Sequence, residues 1–254
     1  DLQQFSIKML LKRKVSLMKK KGSNKLLLTL IIFFASCSEP HFKKLKVELK
    51  ATKRLNSSIE KSKGNKLNIN LDKKNLYIGE FINFSLDTSF LSASYGSQKQ
   101  NYRMGTFKLK DEKSFFCSNQ TLDNILRKST DSLILKGKVF GEQCLANYQL
   151  TFKLVNNNQL DWKLTFEEKK RGLKLNRTFF KFNKDEKENL YGLGEQFSHL
   201  KLNGLKIPLL TEEQGIGRGD FPITWGAEIM AGAGGNEFST YAPIPFLLSH
   251  SPKP

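Results

Sequence analysis

At 254 residues, 39% of them hydrophobic, the chain is long enough for one large domain or two small ones and apolar enough to fill a core. Its formal charge of +18 invites a nucleic-acid reading, but Lys8, Lys12, Arg13, Lys14, Lys19, Lys20, Lys21 and Lys25 crowd the first 36 residues against the single acid Asp1. The remaining lysines are scattered singly through alternating segments such as "KLKVELK" and "FKLKDEK", as on solvated strand faces. With no basic helix and no interleaved stacking motif, a nucleic-acid partner is excluded from the reading.

The first predicted element is a leader, residues 1–36. From Met18 the sequence runs "MKKKGSNKLLLTLIIFFASCSEP", a basic start followed by an apolar run from Leu26 to Ala35, then small residues and a cysteine. That run is too short to span a bilayer and has the plan of a secretory signal. Ending in Phe34-Ala35-Ser36-Cys37, it has the form of a bacterial lipoprotein signal, with Cys37 the lipidated first residue of an exported, lipid-anchored envelope protein. The competing reading is a short buried helix. Position 1 is not methionine, so residues 1–17 are expected upstream of a start at Met18, with Met9 as the other candidate. Export leaves Cys117 and Cys144 in an oxidising compartment where a disulfide is allowed. Spacing alone does not bring the two side chains together, and two separate buried thiols are the expectation. The three histidines, His41, His199 and His250, have no second ligand at zinc-site spacing, so no metal is expected.

Residues 37–65, rich in Lys and Ser, are predicted to form a tether leading to a first strand, and residues 66–254 a single domain. Period-2 alternation then dominates: "KLNINL", "LYIGEFINFSL", "YRMGTFKLK" and "SLILKGKVF" read as strands. The clearest hairpin is "ANYQLTFKLVNNNQLDWKLTFEE". Tyr148, Leu150, Phe152 and Leu154 share one face of its first arm, and Leu160, Trp162, Leu164 and Phe166 one face of its second. Asn156-Asn157-Asn158 supplies the turn. Such faces need a second sheet to cover them, which predicts a mainly β, antiparallel β-sandwich with Trp162 in its core. One segment breaks the pattern. "NQTLDNILRKSTDS" is predicted as a helix, capped by Asn119 or Thr121, with Leu122, Ile125 and Leu126 on one face.

The last third is richer in Gly and Pro. "EEQGIGRGDFPITWGAEIMAGAGG", residues 212–235, carries a carboxylate pair, an amide, an arginine and seven glycines. It is not a phosphate fingerprint. Asp220 falls where the third glycine of GxGxxG belongs, and no Lys-Ser or Lys-Thr follows as in GxxxxGK. The pieces Tyr191-Gly192-Leu193-Gly194-Glu195-Gln196-Phe197-Ser198, Glu213-Gln214-Gly215-Ile216-Gly217-Arg218, Ala233-Gly234-Gly235 and Thr240-Tyr241-Ala242-Pro243, in that order, resemble glycoside hydrolase family 31, and within it the sulfoquinovosidase-like members.

The resemblance implies a galactose-mutarotase-like β-sandwich that precedes and packs on a (β/α)8 barrel, in a retaining α-glycosidase acting on O-glycosidic bonds of α-glucosides or sulfoquinovosides. In that family an aspartate nucleophile and an aspartate acid/base sit on the barrel, roughly 5 Å apart as retention requires. The barrel is absent from residues 1–254, and the ending "SHSPKP" leaves the family pattern, so the sequence reads as truncated before the barrel and inactive alone. No catalytic residue and no cofactor is assigned. Glu213 and Gln214 are the expected partners for sugar hydroxyls, and Arg218 offers a planar fork for a carboxylate or sulfonate. The alternative is that Glu213 and Arg218 pair with each other to brace the loop. Glu195 and His199, four apart, read as structural rather than as an acid/base pair, and Trp225 and Tyr241 are the stacking candidates. A different class remains open, a surface lipoprotein that binds glycan without cleaving it.

Overall fold

The computed structural model describes residues 4–10, 42–48, 66–103, 106–168, 174–195, 198–209, 211 and 213–250, with the main chain alone described for 4–10, 102–103, 106–109 and 111–114. Cys37 and most of the leader and tether lie outside the described residues. The chain forms two compact units, the second made of 96–114 and everything from Asp185 onward.

The strands of the first unit follow the predicted alternation. They are β1 (Gln4–Leu10), β2 (Leu45–Val47), β3 (Ile69–Leu71), β4 (Asn75–Ile78), β5 (Ile82–Ser85), β6 (Leu91–Arg103), β7 (Thr106–Cys117), β8 (Asn119–Ser129), β9 (Ser132–Phe140), β10 (Leu145–Asn156), β11 (Gln159–Glu168) and β12 (Arg177–Phe180). The far parts of β6 and β7 pass into the second unit. One six-stranded sheet has the order β1-β11-β10-β9-β8-β2, and two three-stranded sheets have the orders β3-β4-β5 and β12-β6-β7. β2 lies within the stretch expected to be a tether, and its parallel pairing with β8 makes that part of it sheet. β1, within the leader, pairs antiparallel with β11.

The predicted hairpin forms in register: Phe152 faces Trp162, Leu150 faces Leu164 and Tyr148 faces Phe166. All eight of its inward residues are buried, and each such side chain stabilises the fold by about 1.5–3 kcal/mol. Across the core Trp162 meets Phe180 edge-on at 4.5 Å, and Phe84 stacks on Phe90 at 4.3 Å with Phe152 at 6.5 Å. The mainly β antiparallel sandwich is thus observed, with the large sheet facing the two smaller ones.

Three expectations change. "LYIGEFINFSL" is two strands, β4 and β5, because Gly79 takes φ 57 and turns the chain so that Ile78 faces Ile82. "YRMGTFKLK" likewise spans the end of β6 and the start of β7. The predicted helix from Asn119 is β8. The register on β9 slips between Leu122 and Asn124, so that Asp123 is a bulge. Gln120 and Leu122 face inward before it and Ile125 after it, while Leu126 is exposed. A bulge converts spacing of two into spacing of three, and the sequence then imitates a helical face.

β8 also carries a buried polar network. The Gln120 side-chain oxygen accepts from the N–H groups of Phe90 (3.0 Å) and Leu91 (3.2 Å), its amide donates to the Tyr148 hydroxyl (2.9 Å), and that hydroxyl donates to the Thr121 carbonyl (3.0 Å). Burial pushes the Tyr148 phenol far above its ordinary value. Cys117 and Cys144 are joined in a disulfide with Cα atoms 5.3 Å apart, within the usual range, against the expectation of separate thiols. The turn before β10 folds Cys144 back onto the end of β7, a proximity that linear spacing does not encode.

Candidate functional site

The second unit holds the glycine-rich loop. Its sheet is β13 (Asn189–Gly194) paired antiparallel with β14 (Pro243–His250), with a bulge at Leu193. Two parallel bridges, Thr211 to Thr240 and Ile216 to Gly234, lay the first half of the loop beside its second half. The main chains approach so closely that a Cβ on Gly235 would be driven into the Gln214 carbonyl. Side chains are excluded there, which accounts for part of the glycine content. Between the halves runs α1 (Ile223–Ala231). Thr224 fastens its start, donating to the Ile216 carbonyl at 3.1 Å and accepting from the Gly219 N–H at 2.9 Å. Gly232, at φ 63, ends it in a left-handed cap whose N–H reaches Glu228 at 2.8 Å.

The loop brings the candidate residues to different partners. Glu213, exposed, accepts through Oε2 a 2.7 Å hydrogen bond from the Tyr241 hydroxyl. The adjoining Glu213 carboxylate holds the Tyr241 phenol above its usual value. The Glu213 Oε1 and the Gln214 side-chain amide have no protein partner among the described residues. Arg218, at φ 46, directs Nη2 to the Glu237 carbonyl (3.1 Å) and the Ser198 hydroxyl (3.4 Å). Ser198 donates to the same carbonyl at 2.8 Å. The expected Glu213–Arg218 pair therefore does not form; Arg218 fastens the turns at Ser198 and Glu237 instead.

His199 pairs with the Glu237 carboxylate at 2.8 Å and not with Glu195, whose N–H bonds to the Ala242 carbonyl at 3.0 Å. Glu237 was missed by the sequence reading. It stands in "GGNEFST" with no spacing that links it to Ser198, His199 or Arg218, and only the fold collects the four. Trp162 is buried as expected, whereas Trp225 and Tyr241 are exposed.

Around this loop the surface is apolar. None of the residues of α1 is buried; Phe221 is 81% exposed, Met230 88%, and Ile223, Trp225 and Ile229 are open as well. Phe221 and Trp225 lie 6.2 Å apart. Ile244, Phe246 and Leu248 are exposed along one face of β14. A carboxylate held by the hydroxyl of an exposed tyrosine, as Glu213 is by Tyr241, suits contact with a polar ring compound.

The fold is a mainly β antiparallel sandwich, and the candidate site lies in the glycine-rich loop unit. Residues 42–254 match the family model described as the glycosyl hydrolase 31 N-terminal galactose mutarotase-like domain, and the chain belongs to that family. Part of it is similar to the sulfoquinovosidase of Escherichia coli (strain K12), 36% identical over 88 residues, which is 34% of this chain and 13% of that protein. The sulfoquinovosidase of Agrobacterium fabrum is 34% identical over 76 residues, covering 30% of this chain and 11% of its own length. The matched stretches thus span only a small part of the relatives.

Proposed function

We propose that this domain serves an exported, lipid-anchored α-glycosidase of the sulfoquinovosidase kind, contributing substrate contacts to a pocket formed with a catalytic (β/α)8 barrel. The observation that carries the reading is Glu213, held by Tyr241 on a glycine-crossed loop beside Gln214, with the Glu213 Oε1 and the Gln214 side-chain amide without a partner among the described residues. Hydrolysis belongs to the barrel aspartates; the loop supplies acceptors and donors to the sugar hydroxyls. Arg218, its guanidinium plane fixed by Glu237 and Ser198, is the group suited to a sulfonate. The open apolar residues of α1 and β14 are the surface offered to the barrel, since patches of this kind mark contact sites.

Export draws support from the Cys117–Cys144 disulfide, which fits an oxidising compartment. Replacing Cys37 by Ala should release the protein from the membrane fraction and abolish labelling by a palmitate probe; membrane retention without Cys37 would defeat the anchor.

The activity is tested on the full-length protein with p-nitrophenyl α-glucopyranoside and p-nitrophenyl α-sulfoquinovoside. Turnover of the sulfonated sugar is expected, and Arg218→Ala should lower its kcat/KM about ten- to hundredfold, the worth of one charge-assisted hydrogen bond, with less effect on the glucoside. Binding of either sugar without any turnover would favour the non-catalytic glycan-binding lipoprotein instead.

A further inference from the structure

Tyr241 makes a contact that its own packing does not require. The residue is 52% exposed, so it contributes little to a core. Its hydroxyl nonetheless makes one directed contact, donating to Glu213 Oε2 at 2.7 Å. The contact reaches across 28 residues of sequence. The two segments are set side by side by the Thr211–Thr240 bridge and by the glycine crossing of Gly235 over Gln214. An exposed glutamate on a loop ordinarily samples several rotamers, and ordering it on binding costs affinity. A short hydrogen bond from a rigid phenol, in a main chain already held by a bridge, removes that disorder in advance. One carboxylate oxygen is spent on the phenol and the other, Oε1, is kept for a ligand.

The geometry points to Tyr241 as a positioning residue: it orients the Glu213 carboxylate for contact with a sugar hydroxyl, and does not itself serve mainly as a stacking platform. The inference rests on the reading of Glu213 as a substrate contact. It assigns Tyr241 a different role from that of an aromatic surface, because the hydroxyl and not the ring is the working part. The phenol remains protonated as the donor, since ionising it beside the Glu213 carboxylate is disfavoured.

The test compares Tyr241→Phe, Glu213→Ala and the double variant in the full-length protein, with the two p-nitrophenyl α-glycosides as probes. Tyr241→Phe keeps the ring, so the expected result is a KM raised about three- to tenfold, kcat within about twofold and an unchanged melting temperature. In the Glu213→Ala background the same change should add less than about twofold, because its effect passes through the carboxylate. Normal kinetics in Tyr241→Phe with a damaged Glu213→Ala, or effects that multiply in the double variant, would overturn the positioning role while leaving the substrate contact standing. A neutral Glu213→Ala removes the contact and the positioning role together.

Discussion

The two units use apolar side chains in opposite ways. In the first, the inward faces of β10 and β11 and their partners on β4, β5, β8, β9 and β12 are buried in one core. In the second, α1 buries none of its residues, and Phe221, Trp225 and Met230 stand open. A sandwich must cover one face of each sheet to be stable at all, whereas the loop unit is held by main-chain bridges, glycine crossings and side-chain hydrogen bonds to carbonyls. Its exposed apolar residues are free of a packing role and available for contact with something else. The first unit is therefore scaffold, and the second carries the candidate site.

That contrast is broken most directly in the core. Phe152→Ala should cost about 3–5 kcal/mol, because Phe152 is fully buried opposite Trp162 and packs toward Phe84. Urea unfolding measures it, and a loss below about 1 kcal/mol would mean that the two sheets do not meet at this ring.

Replacing both Cys117 and Cys144 by Ser should cost about 3 kcal/mol, from the freedom returned to a loop closed across a sequence separation of 27. The difference should vanish when wild type is unfolded under reducing conditions; a persistent difference would place the effect in packing.

Tyr148→Phe is expected to cost about 1–3 kcal/mol, by leaving the Gln120 amide and the Thr121 carbonyl short of a partner. It should also alter the pH response. The folded phenol is pushed above its ordinary value of 10.0, so the contribution is intact below that pH and is lost as the pH rises beyond it toward the folded value. Denaturation midpoints at about pH 8 and pH 11 should therefore differ less in Tyr148→Phe than in wild type. Equal differences would show that another group governs the alkaline loss.

The smallest effect on folding is expected in the second unit. Trp225→Ser with Met230→Lys should change stability by no more than about 0.5 kcal/mol, since both side chains are exposed. The pair should reduce self-association of the isolated 254-residue chain in sedimentation. A drop of several degrees in melting temperature would show that α1 is packed in solution and would erase the contrast between the units.

The contrast was partly readable beforehand. Alternation at a period of two settles which residues of a strand share a face, so the Tyr148–Leu154 and Leu160–Phe166 faces, the asparagine turn and the need for a covering sheet follow from the residues themselves. The ordered motifs from Tyr191 to Pro243 likewise mark the family, which the match over 42–254 bears out. What escaped was whatever depends on a single inserted residue or on distant partners. The bulge at Asp123 made a strand look like a helix, since one extra residue shifts the phase of every side chain after it. The disulfide joins residues 27 apart, and Tyr241 finds Glu213 across 28 positions. Arg218 finds the Glu237 carbonyl across 19, in preference to the nearby Glu213. Residue type shows that a carboxylate or a guanidinium will seek a partner. Which partner it meets is a matter of distance in space, and that is set by turns, bulges and glycine crossings after the chain has folded.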